Sequence, residues 1–301
     1  MKVDFSSIKE FGNIEFLARQ MVEGFITGLH KSPYHGFSVE FAEHQLYNTG
    51  ESTKHIDWKV YARTDRLYTK RYEEETNLRC MLLIDHSPSM YYPKETKGKL
   101  LFSILAGASI AYLLHKQRDA VGLCTFSDEI EDKTEIKSTR THLNKILLLL
   151  ENLMHTEKPA KATNVAKVLH EVAETIHRRS LIILFSDMFD SDTDIDDLFS
   201  ALQHLKHKEH EVLLFHVTDY ATEHDLNFEE RPYEFIDLES GEKIKLNPSQ
   251  IRSTYIEEVD RFYKELKIKC AQYKIDFIEA DIRQDMNSIL NAYLIKRTRI
   301  R

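Results

Sequence analysis

The chain has 301 residues, of which 42% are hydrophobic and 30% are charged, as in one large domain or one domain with a smaller attachment. Its formal net charge of −8 argues against non-specific nucleic-acid binding and against docking on anionic lipid, which both favour positive charge. The three cysteines lack a CxxC spacing, no stretch reaches the roughly 18 apolar residues of a membrane span, and the N-terminus lacks a signal-peptide core. We therefore expect a cytoplasmic protein without a membrane span.

Residues 1–78 are predicted to form an N-terminal α+β segment packed on the core. Apolar residues at helical spacing predict an amphipathic helix within residues 6–30. The following patterns predict a short strand with turns in 31–50, one or two helical turns in 56–63 and a strand in 67–74. The boundary near residue 78 depends on the change of pattern that follows it.

From residue 79 onward, apolar strand-like runs alternate with helical patterns. The predicted strands are 80–84, 120–126, 180–185, 212–217 and 275–278, and the predicted helices are 98–116, 141–154, 164–177, 194–206, 251–273 and 286–296. Residues 129–137 alternate in charge like an exposed edge strand, and residues 228–246 resemble an inserted hairpin. The alternation predicts that residues 79–301 form a doubly wound α/β domain, with helices on both faces of a mostly parallel sheet.

The first buried strand leads directly into the sequence Asp85-His-Ser87-Pro-Ser89. Its carboxylate and two hydroxyls are hard oxygen ligands, which suit Mg²⁺ or Mn²⁺ better than thiophilic metals. In an open α/β sheet, ligands bind at the loops that follow the carboxyl ends of the strands. The motif therefore predicts a metal-binding loop at this edge of the sheet.

Two later loops supply similar groups. Thr163 precedes a predicted helix, where its side chain could cap the helix and offer its hydroxyl to a ligand. Asp187 follows Ser186 at the end of the third buried strand. If the three loops meet over one edge of the sheet, the metal ligands are Asp85, Ser87, Ser89, Thr163 and Asp187. The alternative is that the hydroxyls only cap loops and helices while the two carboxylates are solvated.

This set of residues resembles the metal-ion-dependent adhesion site of von Willebrand factor A domains, because all five positions match in order and spacing. The resemblance implies a von Willebrand A, Rossmann-like fold that binds Mg²⁺ or Mn²⁺ through these five side chains. It also implies an open coordination position for a carboxylate from a protein partner. His86 occupies a variable position of the motif, and we expect it to be a solvated loop residue.

A second signature precedes the first strand. The segment from Gly50 through Ile56-Asp57-Trp58 and Ala62-Arg63 to Glu75, together with the C-terminal ending up to Arg297, is similar to the prokaryotic domain-of-unknown-function family 58. The resemblance implies a MoxR-type AAA+ ATPase as partner and an adaptor role in complex maturation or stress response. The sequence departs from the family at Lys161 and Ala162, where the second metal loop usually has glycines.

The function predicted from these features is a non-catalytic, Mg²⁺-dependent protein-interaction module. The sequence has no GxxxxGK[ST] phosphate loop and no GxSxG elbow, and no nucleophile–base pair is apparent. Two alternatives remain open. Asp85 and Asp187 could serve a metal-dependent phosphohydrolase, or the domain could be a structural scaffold whose metal site is inactive.

Overall fold

The structure is a computed structural model, and it describes residues 14–30, 44–46, 58–70, 78–156, 164–188, 195–238 and 241–300. Its α-helices are α1 (Ile14–His30), α2 (Trp58–Thr64), α3 (Gly98–Lys116), α4 (Arg140–His155), α5 (Val165–Thr175), α6 (Ile195–His207), α7 (Pro248–Gln272) and α8 (Asn287–Ile300). Its strands are β1 (His44–Leu46), β2 (Tyr68–Lys70), β3 (Arg79–Asp85), β4 (Ala120–Phe126), β5 (Ile130–Lys133), β6 (Leu181–Ser186), β7 (Glu211–Thr218), β8 (Tyr233–Ile236), β9 (Lys243–Leu246) and β10 (Asp276–Asp281). The strands predicted within 31–50 and 67–74 are described only at β1 and β2, which form an antiparallel pair.

Six strands form the central sheet in the order β10-β7-β6-β3-β4-β5. All neighbours pair in parallel except β4 and β5, which pair antiparallel at one edge. The first strand of the sheet, β3, lies between its successor β4 and the later strand β6. The direction of winding therefore reverses at β3, which makes the carboxyl end of this strand the expected ligand-binding position.

The central strands are apolar because helices cover both faces of the sheet. Every residue of β3 after Arg79 is buried, as are all residues of β6. The rings of Phe185 and Phe215 stack across adjacent strands, with centroids 4.9 Å apart. The predicted doubly wound α/β fold is thus confirmed. The edge position of β5 and the β8–β9 hairpin, within the predicted insertion 228–246, are also confirmed.

Helix α3 packs closely on β3. A Cβ atom added to Gly107 would lie 3.0 Å from Cδ1 of Ile84, so the glycine permits the helix to approach the strand. Among the described helices, only α3 has the length and apolar composition needed to cross a membrane. However, 89% of its most apolar 18-residue stretch is buried inside the protein. The core helix of a soluble protein can have the same length and composition.

Replacing Gly107 with Val is expected to destabilise the protein by about 1–3 kcal/mol, because the added methyl groups overpack the contact with Ile84. The measurement is the free energy of unfolding in denaturant. Gly24→Val is the matched control, since nothing lies within 4 Å of the Cβ position of that helical glycine. Equal stability of the two variants would contradict the close approach of α3 to β3.

By its contacts the chain divides into two compact units, one formed by residues 1–26 together with 78–301 and the other by residues 27–77. Within the first unit, α1 buries one face, and the Ser109 hydroxyl of α3 donates to the Met21 sulfur at 3.6 Å. The sequence break near residue 78 coincides with a boundary between the units. The proposed division into an N-terminal segment, 1–78, packed on a domain, 79–301, stays a prediction.

Candidate metal site

Asp85 lies at the carboxyl end of β3 and is completely buried. The Ser87 backbone N–H donates to its Oδ1 at 2.9 Å, and the Ser186 hydroxyl donates to its Oδ2 at 2.6 Å. The Ser186 oxygen in turn accepts from the backbone N–H of Met188 at 2.9 Å. These bonds join the carboxyl end of β3 to the carboxyl end of β6, which lie next to each other because the two strands pair in parallel.

The two serines of the motif face one another. Ser87 Oγ lies 3.0 Å from Ser89 Oγ, and both residues are buried. The backbone N–H of Met90 donates to the Ser87 carbonyl at 3.0 Å, within a short 3₁₀ helix at Pro88–Tyr91. This turn points two neutral hydroxyl oxygens toward the same place, next to the Asp85 carboxylate.

Asp187 follows β6 and is also buried. Its Oδ2 accepts from the Lys99 ammonium at 2.8 Å, and its backbone carbonyl lies 2.9 Å from Nε2 of His216 on β7. The residue after it, Met188, has a positive φ of 54°, a conformation that is strained for a non-glycine residue and that occurs preferentially at functional sites. The structure therefore brings four of the five predicted ligands, Asp85, Ser87, Ser89 and Asp187, to one edge of the sheet.

The fifth predicted ligand, Thr163, lies outside the described residues. The next residue, Asn164, is described, and its side chain caps α5 by accepting from the backbone N–H of Lys167 at 2.8 Å. Asn164 therefore occupies the N-cap position of α5, and the roles expected of Thr163 stay predictions. The backbone N–H of Asn164 also donates to the carbonyl of Ser127 at 3.4 Å, just after β4, so the chain re-enters the described structure beside the carboxyl end of a strand next to β3.

The electrostatics of the site disfavour the ionised form of Asp85. Burial raises the pKa of Asp85, the negative charge of Asp187 raises it further, and the hydrogen bonds from Ser186 and Ser87 offset only part of this, which leaves the pKa at about 7. The Lys99 ammonium pairs with two carboxylates, Asp187 and Glu223, and the charge of Asp187 also acts on the third carboxylate, Asp85. When all four groups are ionised, two negative charges remain, which a single divalent cation would balance.

The donor set also fits a hard cation. Mg²⁺ prefers carboxylate, hydroxyl and water oxygens, and these are the groups that Asp85, Ser87, Ser89 and Asp187 present. No cluster of three or more His, Cys, Asp and Glu side chains that could hold a metal exists within the described ranges, and two of the four described ligands in the predicted set are hydroxyls. Softer metals that prefer sulfur or imidazole do not match this set.

His86 is buried, with 2% of its surface exposed, so the expectation of a solvated loop residue was wrong. Its backbone N–H donates to the Phe126 carbonyl at 3.0 Å, and its Nε2 lies 3.3 Å from a carboxylate oxygen of Glu131 on β5. Burial lowers the pKa of His86, although the charge of Glu131 partly offsets this. The lowered pKa favours the neutral imidazole, and the buried ring lies against Glu131 of β5.

The residues that sequence reasoning missed are Lys99 and Glu223. Lys99 lies in the first turn of α3, and Glu223 lies in a π-helical turn, Tyr220–His224, that follows β7. The one available signal was a lysine inside a strongly apolar helical pattern, since a lysine is almost never fully buried without a partner.

A comparison with known families gives a match over residues 43–264 to the family described as "Protein of unknown function DUF58". The match covers most of the chain. The chain belongs to the DUF58 family. Curated relatives include uncharacterized proteins of Mycobacterium bovis and Mycobacterium tuberculosis, 21% identical over 174 residues, which are 58% of this chain and 55% of each relative. This DUF58 chain thus spans about half the length of the curated relatives it matches.

Solved structures similar to this DUF58 protein include BatB from Bacteroides thetaiotaomicron, at 13% identity and a TM-score of 0.47 over 74% of this chain and 98% of that one. An aerotolerance-related membrane protein from Bacteroides fragilis has 12% identity and a TM-score of 0.45, over 73% and 97%. A von Willebrand factor type A structure from Catenulispora acidiphila has 12% identity and a TM-score of 0.37, over 50% and 34%. The predicted family membership is confirmed, whereas the metal-ion-dependent adhesion site remains a prediction.

Proposed function

We propose that this DUF58 protein is a non-catalytic protein-interaction module that binds a partner through a Mg²⁺ or Mn²⁺ ion. The observation that carries the proposal is the convergence of Asp85, Ser87, Ser89 and Asp187 at the point where the sheet reverses its winding. Thr163 completes the proposed ligand set. When bound, the ion supplies an electrophilic centre that attracts an acidic group.

The recognition step follows from the chemistry of these ligands. Two serine hydroxyls contribute no charge, so the ion keeps much of its positive charge, and Mg²⁺ retains several exchangeable waters in protein sites. A carboxylate from a partner can replace one of those waters. The buried hydrogen bonds that Asp85 accepts from Ser87 and Ser186 hold the carboxylate in position before the ion arrives.

The partner in this proposal is a MoxR-type AAA+ ATPase or its client protein, in the cytoplasm, as the resemblance to the family implies. The chain would act as an adaptor in complex maturation or in a stress response. Membership of the DUF58 family supports this assignment, and so does the expected attraction of the bound ion for an acidic group of a partner.

Titration of Mg²⁺ or Mn²⁺ followed by calorimetry tests the metal claim. We expect saturable binding of one ion by the wild type and none by Asp85→Ala, since the variant lacks one carboxylate and the hydrogen bonds from Ser87 and Ser186. Pull-down of the ATPase should require the ion and should be lost in Ser87→Ala. Negligible binding by both proteins contradicts the metal claim, and an unchanged pull-down by Ser87→Ala favours a scaffold with an inactive metal site.

A screen of phosphate esters separates this proposal from its enzymatic rival. A module of the proposed kind shows no turnover with any ester, with or without Mg²⁺. Hydrolysis by the wild type that is abolished in Asp85→Ala would instead establish a metal-dependent phosphohydrolase that uses Asp85 and Asp187.

A further inference from the structure

Lys99 is a buried cation beside the candidate metal site. Its side chain is 1% exposed, and its ammonium donates to Asp187 Oδ2 at 2.8 Å and to Glu223 Oε1 at 2.5 Å. The residue belongs to none of the three loops that supply the predicted ligands. A lysine buried this completely is rare in proteins and costs free energy unless carboxylates pair with it.

Glu223, the second carboxylate that pairs with Lys99, is held in place by its own hydrogen bonds. Its Oε2 accepts from the Asp219 backbone N–H at 2.7 Å, and its carbonyl accepts from the Tyr255 hydroxyl at 2.6 Å. Asp219 in turn forms an ion pair with Arg283. The ammonium of Lys99 is therefore shared between a predicted metal ligand and a fixed carboxylate that is not a ligand.

We propose that Lys99 competes with the divalent cation for Asp187 and so sets the affinity of the site, while Glu223 weakens that competition by sharing the ammonium. The inference rests on the proposed metal site and deepens it. The ammonium uses Asp187 Oδ2 as an acceptor, and its positive charge opposes the arrival of a second cation nearby. Glu223 counters both effects because it draws the same ammonium toward the turn after β7.

Lys99, Asp187 and Glu223 form an ion triad. Two substitutions within this triad have opposite expected effects on the Mn²⁺ affinity. Lys99→Met removes the charge and retains an unbranched side chain, so Mn²⁺ binding should become about tenfold tighter or more. Glu223→Gln removes the competing carboxylate and leaves Lys99 paired with Asp187 alone, so Mn²⁺ binding should become about tenfold weaker. A merely structural role for the triad would lower the thermal stability of both variants and leave their Mn²⁺ affinities equal to that of the wild type.

Lys296→Met is the matched control. Lys296 is also a buried lysine shared by two carboxylates, Glu211 and Asp276, both at 2.7 Å. Those partners begin β7 and β10, whereas the candidate site lies at the carboxyl ends of the strands. This control should lose stability and keep the Mn²⁺ affinity of the wild type.

The experiment measures the Mn²⁺ dissociation constant of the full chain by electron paramagnetic resonance of the free ion. If the wild type binds Mn²⁺ and Lys99→Met binds it no more tightly, the inference is overturned while the metal site stands. If neither protein binds Mn²⁺, the proposed function itself fails. If Lys99→Met does not fold, Glu223→Gln decides alone, since weaker binding supports the inference and unchanged or tighter binding overturns it.

Discussion

Replacing Asp85 with Asn is expected to stabilise the cation-free protein and to abolish its stabilisation by Mg²⁺. Burial and the neighbouring charge of Asp187 raise the pKa of Asp85 to about 7, so above pH 7 the ionised carboxylate lowers the stability of the fold. At about pH 8 the amide removes this penalty, which amounts to at most about 4 kcal/mol at about 1.4 kcal/mol per pKa unit. The measurement is the melting temperature in EDTA and in excess Mg²⁺.

In excess Mg²⁺ the stability advantage of Asp85→Asn over the wild type should shrink. A ligand present at about 100 times its dissociation constant stabilises the native state by about 2.7 kcal/mol, and only the wild type gains this. Asp119→Asn is the control, because Asp119 is a buried aspartate that accepts from the Leu78 backbone N–H at 3.1 Å before β4, away from the site. An Asp85→Asn variant with the same Mg²⁺ response as the wild type would contradict the assignment of Asp85 as a ligand.

The affinity for Mg²⁺ is expected to fall as the pH drops below about 7. The Asp85 carboxyl holds a proton below its pKa of about 7, and the ion must displace that proton, so the apparent affinity should fall by up to about tenfold per pH unit. Above that pKa the affinity should become constant. Calorimetric titrations between about pH 5.5 and 8.5, in two buffers of different ionisation enthalpy, would show both the slope and the released proton.

The two nearby histidines, His86 and His216, do not account for the expected pH dependence of the Mg²⁺ affinity. Burial lowers the pKa of His86, and burial lowers the pKa of His216 to about 4 even though Asp187 acts in the opposite direction. The pKa of both rings is thus lowered, whereas that of Asp85 is raised. The raised pKa of Asp85 also determines how the stability of the cation-free protein changes with pH. Because the pKa of Asp85 is raised in the folded state, its contribution to stability should decrease as the pH rises from about 4 to about 7. A pH-independent Mg²⁺ affinity would contradict the raised pKa.

The sheet was largely predictable because its strands are short apolar runs between helices. The prediction of 120–126 and 98–116 reproduces β4 and α3, and the other predicted strands and helices of the domain differ from the observed ones by a few residues at their ends. The order of the strands in the sheet was not predictable from local patterns. It depends on long-range pairing, such as that of Ile84 with Phe185.

The oxygen ligands could be predicted because they directly follow apolar strands. The charged residues that lie next to them could not. Lys99 and Glu223 are 124 residues apart, and only the folded sheet places the first turn of α3 against the turn after β7. His86 was expected to be solvated because it lies in a loop. It is buried instead, and its backbone N–H donates to the Phe126 carbonyl. Local sequence patterns describe which groups are present and not which of them tertiary contacts bury.

The hydrogen bond between Ser186 and Asp85 joins residues 101 positions apart, and this separation has a kinetic consequence. Contacts between such distant residues form late in folding, because the chain must first close a long loop. During synthesis, the first half of the site would leave the ribosome well before the second half. A cation held by both halves would therefore slow unfolding without accelerating folding, and occupancy of the site would mark a chain in which β3 and β6 are already paired.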